Sequence, residues 1–88
     1  MNLADKKQLK AKAHALKPVV MIGQAGLTAA VLAEIEIALN CHELIKVKIR
    51  QERDERKLIC VQIIANTDAE LIQSIGQIGV FYRLNPDK

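Results

Sequence analysis

Aromatic residues are nearly absent from this 88-residue chain: it has one Phe, one Tyr and no Trp. That excludes a surface on which several bases stack on exposed rings. Cysteine is almost as scarce. Cys41 and Cys60 form no Cys-x-x-Cys pair, and Cys41-His42-Glu43 has no second cluster to complete the three or four ligands a metal needs. No disulfide framework and no metal site is expected. Two Pro and four Gly are too few for a disordered or fibrous chain. No apolar run approaches the roughly 20 residues of a membrane span. The first residues, Met1 to Lys7, lack the apolar core of a signal peptide. The expectation is a cytoplasmic protein without membrane contact, its cysteines acting as small hydrophobes.

What remains is half apolar and a quarter charged, 50% and 26%, and long enough for one domain over residues 1–88. The net charge of +3 is unevenly spread. Residues 1–50 hold eight basic and four acidic side chains, a balance of +4, and residues 51–88 hold five and six, a balance of −1. Such asymmetry fits an anionic partner, although a solvated surface would also account for it.

The excess lies in the half that carries Pro18-Val19-Val20-Met21-Ile22-Gly23-Gln24-Ala25-Gly26-Leu27-Thr28. Apolar residues between Pro and Gly read as a buried strand. The two glycines permit unusual backbone angles and bare the main chain to a ligand. Thr28 reads as the N-cap of a following helix. A glycine turn against a helix N-terminus offers N–H groups and a positive dipole end to a phosphate.

Leu3 to Leu16 reads as a helix with Leu9, Ala13 and Leu16 on its apolar stripe. Lys6, Lys10, His14 and Lys17 flank that stripe, with Lys7 beside them. The short Lys17-Pro18 link predicts that the strand runs back along the helix, which would bring Lys6, Lys7 and Lys10 to the glycine loop. Thr28 to Cys41 is a second helix, with Val31, Ile35, Ala38 and Leu39 inward and His42 exposed at its end. Leu44 to Arg50 alternates as a half-buried strand, with Ile45, Val47 and Ile49 on one face and Lys46, Lys48 and Arg50 on the other. Helices on one side only would leave that basic stripe in water. After the charge cluster Gln51 to Lys57, the run Leu58 to Ala65 fits a strand by propensity, or the end of a helix from about Asp54 to Asn66. A helix is preferred, because a hairpin here would lack Gly, Pro or Asn in its turn. Glu70–Gly76 and Ile78–Leu84 read as a hairpin turning at Gly76-Gln77, with Gly79 marking a bulge or a close approach. Residues 85–88 read as a frayed end. The order α-β-α-β-α-β-β makes this an α/β fold, a single compact domain with helices on a four-stranded mixed sheet.

The segment from Lys17 to Thr28, followed by a helix and by His42-Glu43-Leu44-Ile45-Lys46-Val47-Lys48-Ile49, resembles the CRM domain, named for chloroplast RNA splicing and ribosome maturation. The likeness is to its stand-alone bacterial form, the YhbY-like proteins, and runs from the first helix to Phe81-Tyr82-Arg83. It implies the same element order, similar to the C-terminal domain of a translation initiation factor, and a helix over 54–66. It also implies RNA binding, with precursors of the large ribosomal subunit as partner and no required oligomer. By position, the family's binding loop falls on Gly23, Gln24, Ala25 and Gly26, and its basic strand on Lys46 and Lys48. Many relatives carry Lys or Arg between the glycines, where this chain has Gln24 and Ala25, and some have a longer basic tail.

The RNA-binding residues expected from both readings are Gly23, Gln24, Ala25, Gly26, Thr28, Lys6, Lys7, Lys10, Lys17, Lys46, Lys48 and Arg50. A KH domain also clamps RNA with Gly-x-x-Gly, but there the loop joins two helices. An enzyme on a small phosphorylated ligand is a second reading. It lacks a P-loop, a dinucleotide fingerprint and any evident nucleophile with its base, so no catalytic residue and no cofactor is expected. A third reading is an adaptor that meets an acidic protein through the open sheet face.

Overall fold

A computed structural model describes residues 3–85, so Pro86, Asp87 and Lys88 of the expected frayed end lie outside the described residues. The elements are α1 (Leu3–Ala13), β1 (Val20–Ile22), α2 (Ala29–His42), β2 (Leu44–Ile49), α3 (Arg53–Thr67), β3 (Glu70–Ile75) and β4 (Ile78–Tyr82). Their order is the expected one, and residues 54–66 are helical. The sheet runs β1-β2-β4-β3. β1 is parallel to β2, with Ile22 opposite Ile49, and the other pairs are antiparallel.

Alternation along the strands sorts two cores. Val20, Ile22, Ile45, Val47, Ile49 and Phe81 point to one face, where Ile35 and Leu39 of α2 and Ile59, Cys60 and Ile63 of α3 cover them. Leu44, Ile72 and Val80 point to the other face, against Ala13 and Leu9 of α1. Helices therefore lie on both sides of the sheet. The basic stripe of β2 shares the α1 face, and Lys46 and Lys48 are half-buried, not standing free in water.

Several local expectations need correction. The stretch from Val19 to Ile22 is not buried throughout. β1 is an edge strand of three residues, and only Val20 and Ile22 face the core, while Val19 and Met21 are 51% and 57% exposed. α1 ends at Ala13, one turn early, and Leu16 falls outside its stripe at 39% exposed. Tighter bonds from Ala15 N to Lys12 O and from Leu16 N to Ala13 O close the helix there, ahead of Pro18. Gly79 marks a close approach: a Cβ there would lie 2.9 Å from Cε2 of Phe81. The bulge sits across the ladder in β3, between Leu71 and Gln73, and turns Ile72 into the α1 core. Cys60 is buried as expected of a small hydrophobe, but Cys41 is exposed.

Candidate functional site

Thr28 begins α2 as its N-cap: its hydroxyl accepts a bond from Val31 N at 3.2 Å. The glycine loop before it is closed by Gly26 N donating to Gly23 O at 3.1 Å, and by Thr28 N donating to Gly26 O at 3.1 Å. The two glycines have different reasons to be there. Gly26 has φ +75°, a left-handed conformation that glycine adopts without strain. Gly23 is not in that region, and a Cβ on it would meet nothing within 4 Å. Neither backbone angle nor packing requires glycine at position 23. Gln24 and Ala25 stand exposed at the tip.

Other segments meet the loop at this end of the sheet. Arg50 N donates to Ile22 O at 2.8 Å, and the Gln51 side-chain amide donates to Gly23 O at 2.6 Å. Arg56 Nη1 donates to Gln51 O at 2.7 Å, tying α3 to the same connection. Ile49 N donates to Gln77 O at 2.7 Å, which fixes the Gly76-Gln77 turn beside it. Gln51 and Arg56 were missed by sequence reasoning. Residues 51–57 are a run of charged and amide side chains, and their nearness to the loop arises only from the parallel β1–β2 pairing.

The structure divides the expected cations. Lys46 and Lys48 alternate up one face of β2 towards the loop, about 6.6 Å apart, and Arg50 follows just past the strand's end. Lys17 lies near Val19 and Lys46, at the foot of that row. Lys6, Lys7 and Lys10 are elsewhere. α1 packs on β2 and β3 and does not pair back along β1. Its N-terminal half shares hollows with Tyr82 through Asp5, Gln8 and Leu9, and Tyr82 pairs with Leu44, at the end of β2 opposite the loop, about 17 Å away. His14, on the flank of Lys6 and Lys10, shares a hollow with Gln73 and Ile75 of β3, the far edge strand from β1, and with Lys46 of β2. The expected juxtaposition of these lysines with the loop is therefore overturned. The link through Val19 crosses to the neighbouring edge instead of reversing along the helix.

Among the described residues, no cluster of three or more His, Cys, Asp or Glu is placed to hold a metal ion, and no helix is long and apolar enough to cross a membrane. The Cys60 thiol is held above its ordinary value of 9.0 by burial, an effect that the nearby Arg56 charge opposes. It is a neutral core group.

A strand, a glycine turn, an N-capped helix and a cationic strand meet at one sheet end, and the chain that builds them matches one family over nearly its whole length. The CRS1 / YhbY (CRM) domain matches residues 1–83. The chain belongs to this family. Relatives of this CRM domain include a probable RNA-binding protein of Pseudomonas aeruginosa, 50% identical over 83 residues, covering 93% of this chain and 80% of the relative. An RNA-binding protein of Haemophilus influenzae is 51% identical over 84 residues, covering 94% and 85%. The solution structure of a Staphylococcus aureus hypothetical protein, described as a candidate RNA binding protein, superposes with a TM-score of 0.84 at 30% identity, covering 97% of this chain and 90% of that one. These relatives of the CRM domain are named for binding RNA and not for catalysis.

Proposed function

We propose that this CRM domain binds RNA through its phosphates, with the Gly23–Gly26 loop and the α2 N-terminus as the central contact. The observation that carries the reading is Gly23, a glycine that the fold does not need, at the head of the row Lys46, Lys48 and Arg50. Without a Cβ, the main chain lets a phosphate come within hydrogen-bond reach of loop and helix N–H groups. The row then neutralises successive phosphates of a strand running along β2. Phosphate contacts and RNA shape dominate over base identity in such an interface. In keeping with the family, the RNA is a precursor of the large ribosomal subunit, and the protein is a cytoplasmic factor in its assembly. The comparisons named above support the RNA; the subunit is inferred from the family resemblance.

The test replaces Gln24 and Ala25 by Asp, leaving both glycines in place. Asp is tolerated in turns and near helix N-termini, so the variant folds. Its carboxylates occupy the phosphate position and compete for the same N–H donors. The expected outcome is an unchanged circular dichroism spectrum with RNA affinity reduced at least about tenfold, or about 1.4 kcal/mol. A folded double variant that binds RNA like the parent would leave the loop a purely structural turn.

A further inference from the structure

We propose that a groove beside the C-terminal end of α1 takes one unstacked nucleotide of the RNA, an inference that rests on the RNA-binding reading. The groove has a volume of about 540 Å³, within the range of small-ligand pockets. Its floor is apolar: Leu9, Leu16, Val19 and Leu44, with Tyr82 at one wall. Its charged side chains are Lys12, Lys17 and Lys46 and one carboxylate, Glu43, which accepts a bond from Asn85 N at 2.7 Å, with His42 beside it. An apolar floor beside three ammonium groups fits a ligand with a flat apolar body and an anionic group at its edge, which describes a nucleotide.

Three observations favour this occupant. α1 stops at Ala13, so Leu16 and Val19 remain 39% and 51% exposed, apolar surface that the fold leaves uncovered. Tyr82 is half-buried at the groove, whereas Phe81, the other aromatic of the chain, is fully enclosed in the α2–α3 core. The ring available for a base is therefore at this place, and stacking on such a ring is how proteins hold unpaired bases. Finally, Lys46, the first cation of the row that leads to the loop, also lines the groove. A strand bound along that row has a nucleotide beside the groove.

The experiment compares two RNA hairpins, a fully paired stem of 12 base pairs and the same stem with one bulged adenosine, titrated at low salt. The bulged hairpin is expected to bind at least fivefold more tightly. Leu16→Gln removes apolar floor from an exposed position without changing charge, and Tyr82→Leu removes the ring while keeping bulk. Each should reduce the preference to under twofold and leave affinity for the paired hairpin unchanged. Leu16 lies outside every element, so this variant reads the groove even if Tyr82→Leu is destabilised. Equal binding of both hairpins by the parent, or a preference that survives Leu16→Gln, overturns the groove inference alone. Failure to bind either hairpin overturns it together with the RNA reading. A fluorescein-labelled amphipathic Leu/Glu peptide that binds the parent, is lost in Leu16→Gln and displaces no paired hairpin would assign the groove to a protein and overturn the inference as well.

Discussion

Glycines 23, 26 and 79 look alike in the sequence and answer to three different constraints. Gly26 serves the backbone, Gly79 the packing, and Gly23 neither. At Gly79 an added Cβ meets Phe81 Cε2 at 2.9 Å and Cζ at 3.3 Å, and the ring is enclosed on all sides. Gly79→Ala is expected to lower stability by about 1–3 kcal/mol, the usual penalty for overpacking a core. Chemical denaturation checks it, and a midpoint within error of the parent would show that the ring shifts freely. Glu43 has a backbone role that no local signal in the sequence announces. It caps α2 at φ +62° and ψ −50°, a strained conformation for a side chain other than glycine. Its carboxylate and carbonyl accept bonds from Asn85 N at 2.7 Å and Arg83 N at 3.0 Å, which fasten the segment after β4 to the start of β2.

Among the elements, β2 and α1 both carry lysines on one flank, and only β2 carries them to the loop. Replacing Lys46 and Lys48 by Gln should flatten the slope of log affinity against log salt by about 1.4, two phosphate contacts at roughly 0.7 each for single strands. The same change at Lys6 and Lys10 should alter the slope by less than half as much, because their half of α1 lies by Tyr82, at the end of the sheet away from the loop. Equal losses from the two pairs would mean that RNA spans both edges and would displace β2 from the centre of the interface. Because Lys46 and Lys48 are half-buried, their stems pack on the sheet, and Gln retains more of that contact than Ala would.

For the molecule as a whole, the surplus of cations in residues 1–50 predicts strongly electrostatic binding. With about four to six phosphates engaged, the slope should be roughly −3 to −5. Affinity unchanged between low and physiological salt would refute phosphate recognition. Arg83 joins the helical layer to the end of the sheet: its guanidinium donates to Glu36 Oε2 at 2.9 Å, to Thr67 O at 2.9 Å and to Asn40 Oδ1 at 2.8 Å. The ion pair is partly exposed, 20% and 39%, so screening limits its share. The bond to the α3 end and the packing of the stem contribute the rest. Arg83→Ala is expected to destabilise by about 1–3 kcal/mol, seen as a fall in Tm of roughly 5–20 °C. Unchanged melting would make the clasp incidental.

Element order and type were legible in the chain because local signals were strong. The strict alternation of Leu44 to Arg50, the cap at Thr28 and the missing turn residues before 54–66 each act within a few residues. The same locality made Gly23–Gly26 legible as a bare-backbone turn. What no local signal carries is which edge a short strand joins and which face of the sheet a helix covers. Val19 to Ile22 was apolar enough for a central strand, yet it became an edge because β4 pairs with the other side of β2. Pro18 limits the helix but does not direct the chain that follows it, so the crossing to β1 and the distance of Lys6, Lys7 and Lys10 from the loop were decided by α1 packing on Leu44, Ile72 and Val80. The sequence by itself determined the elements and the bare loop, since these depend on propensity and near neighbours. Only the tertiary structure decided which cations meet that loop and where the groove lies, since both depend on contacts between residues far apart in the chain.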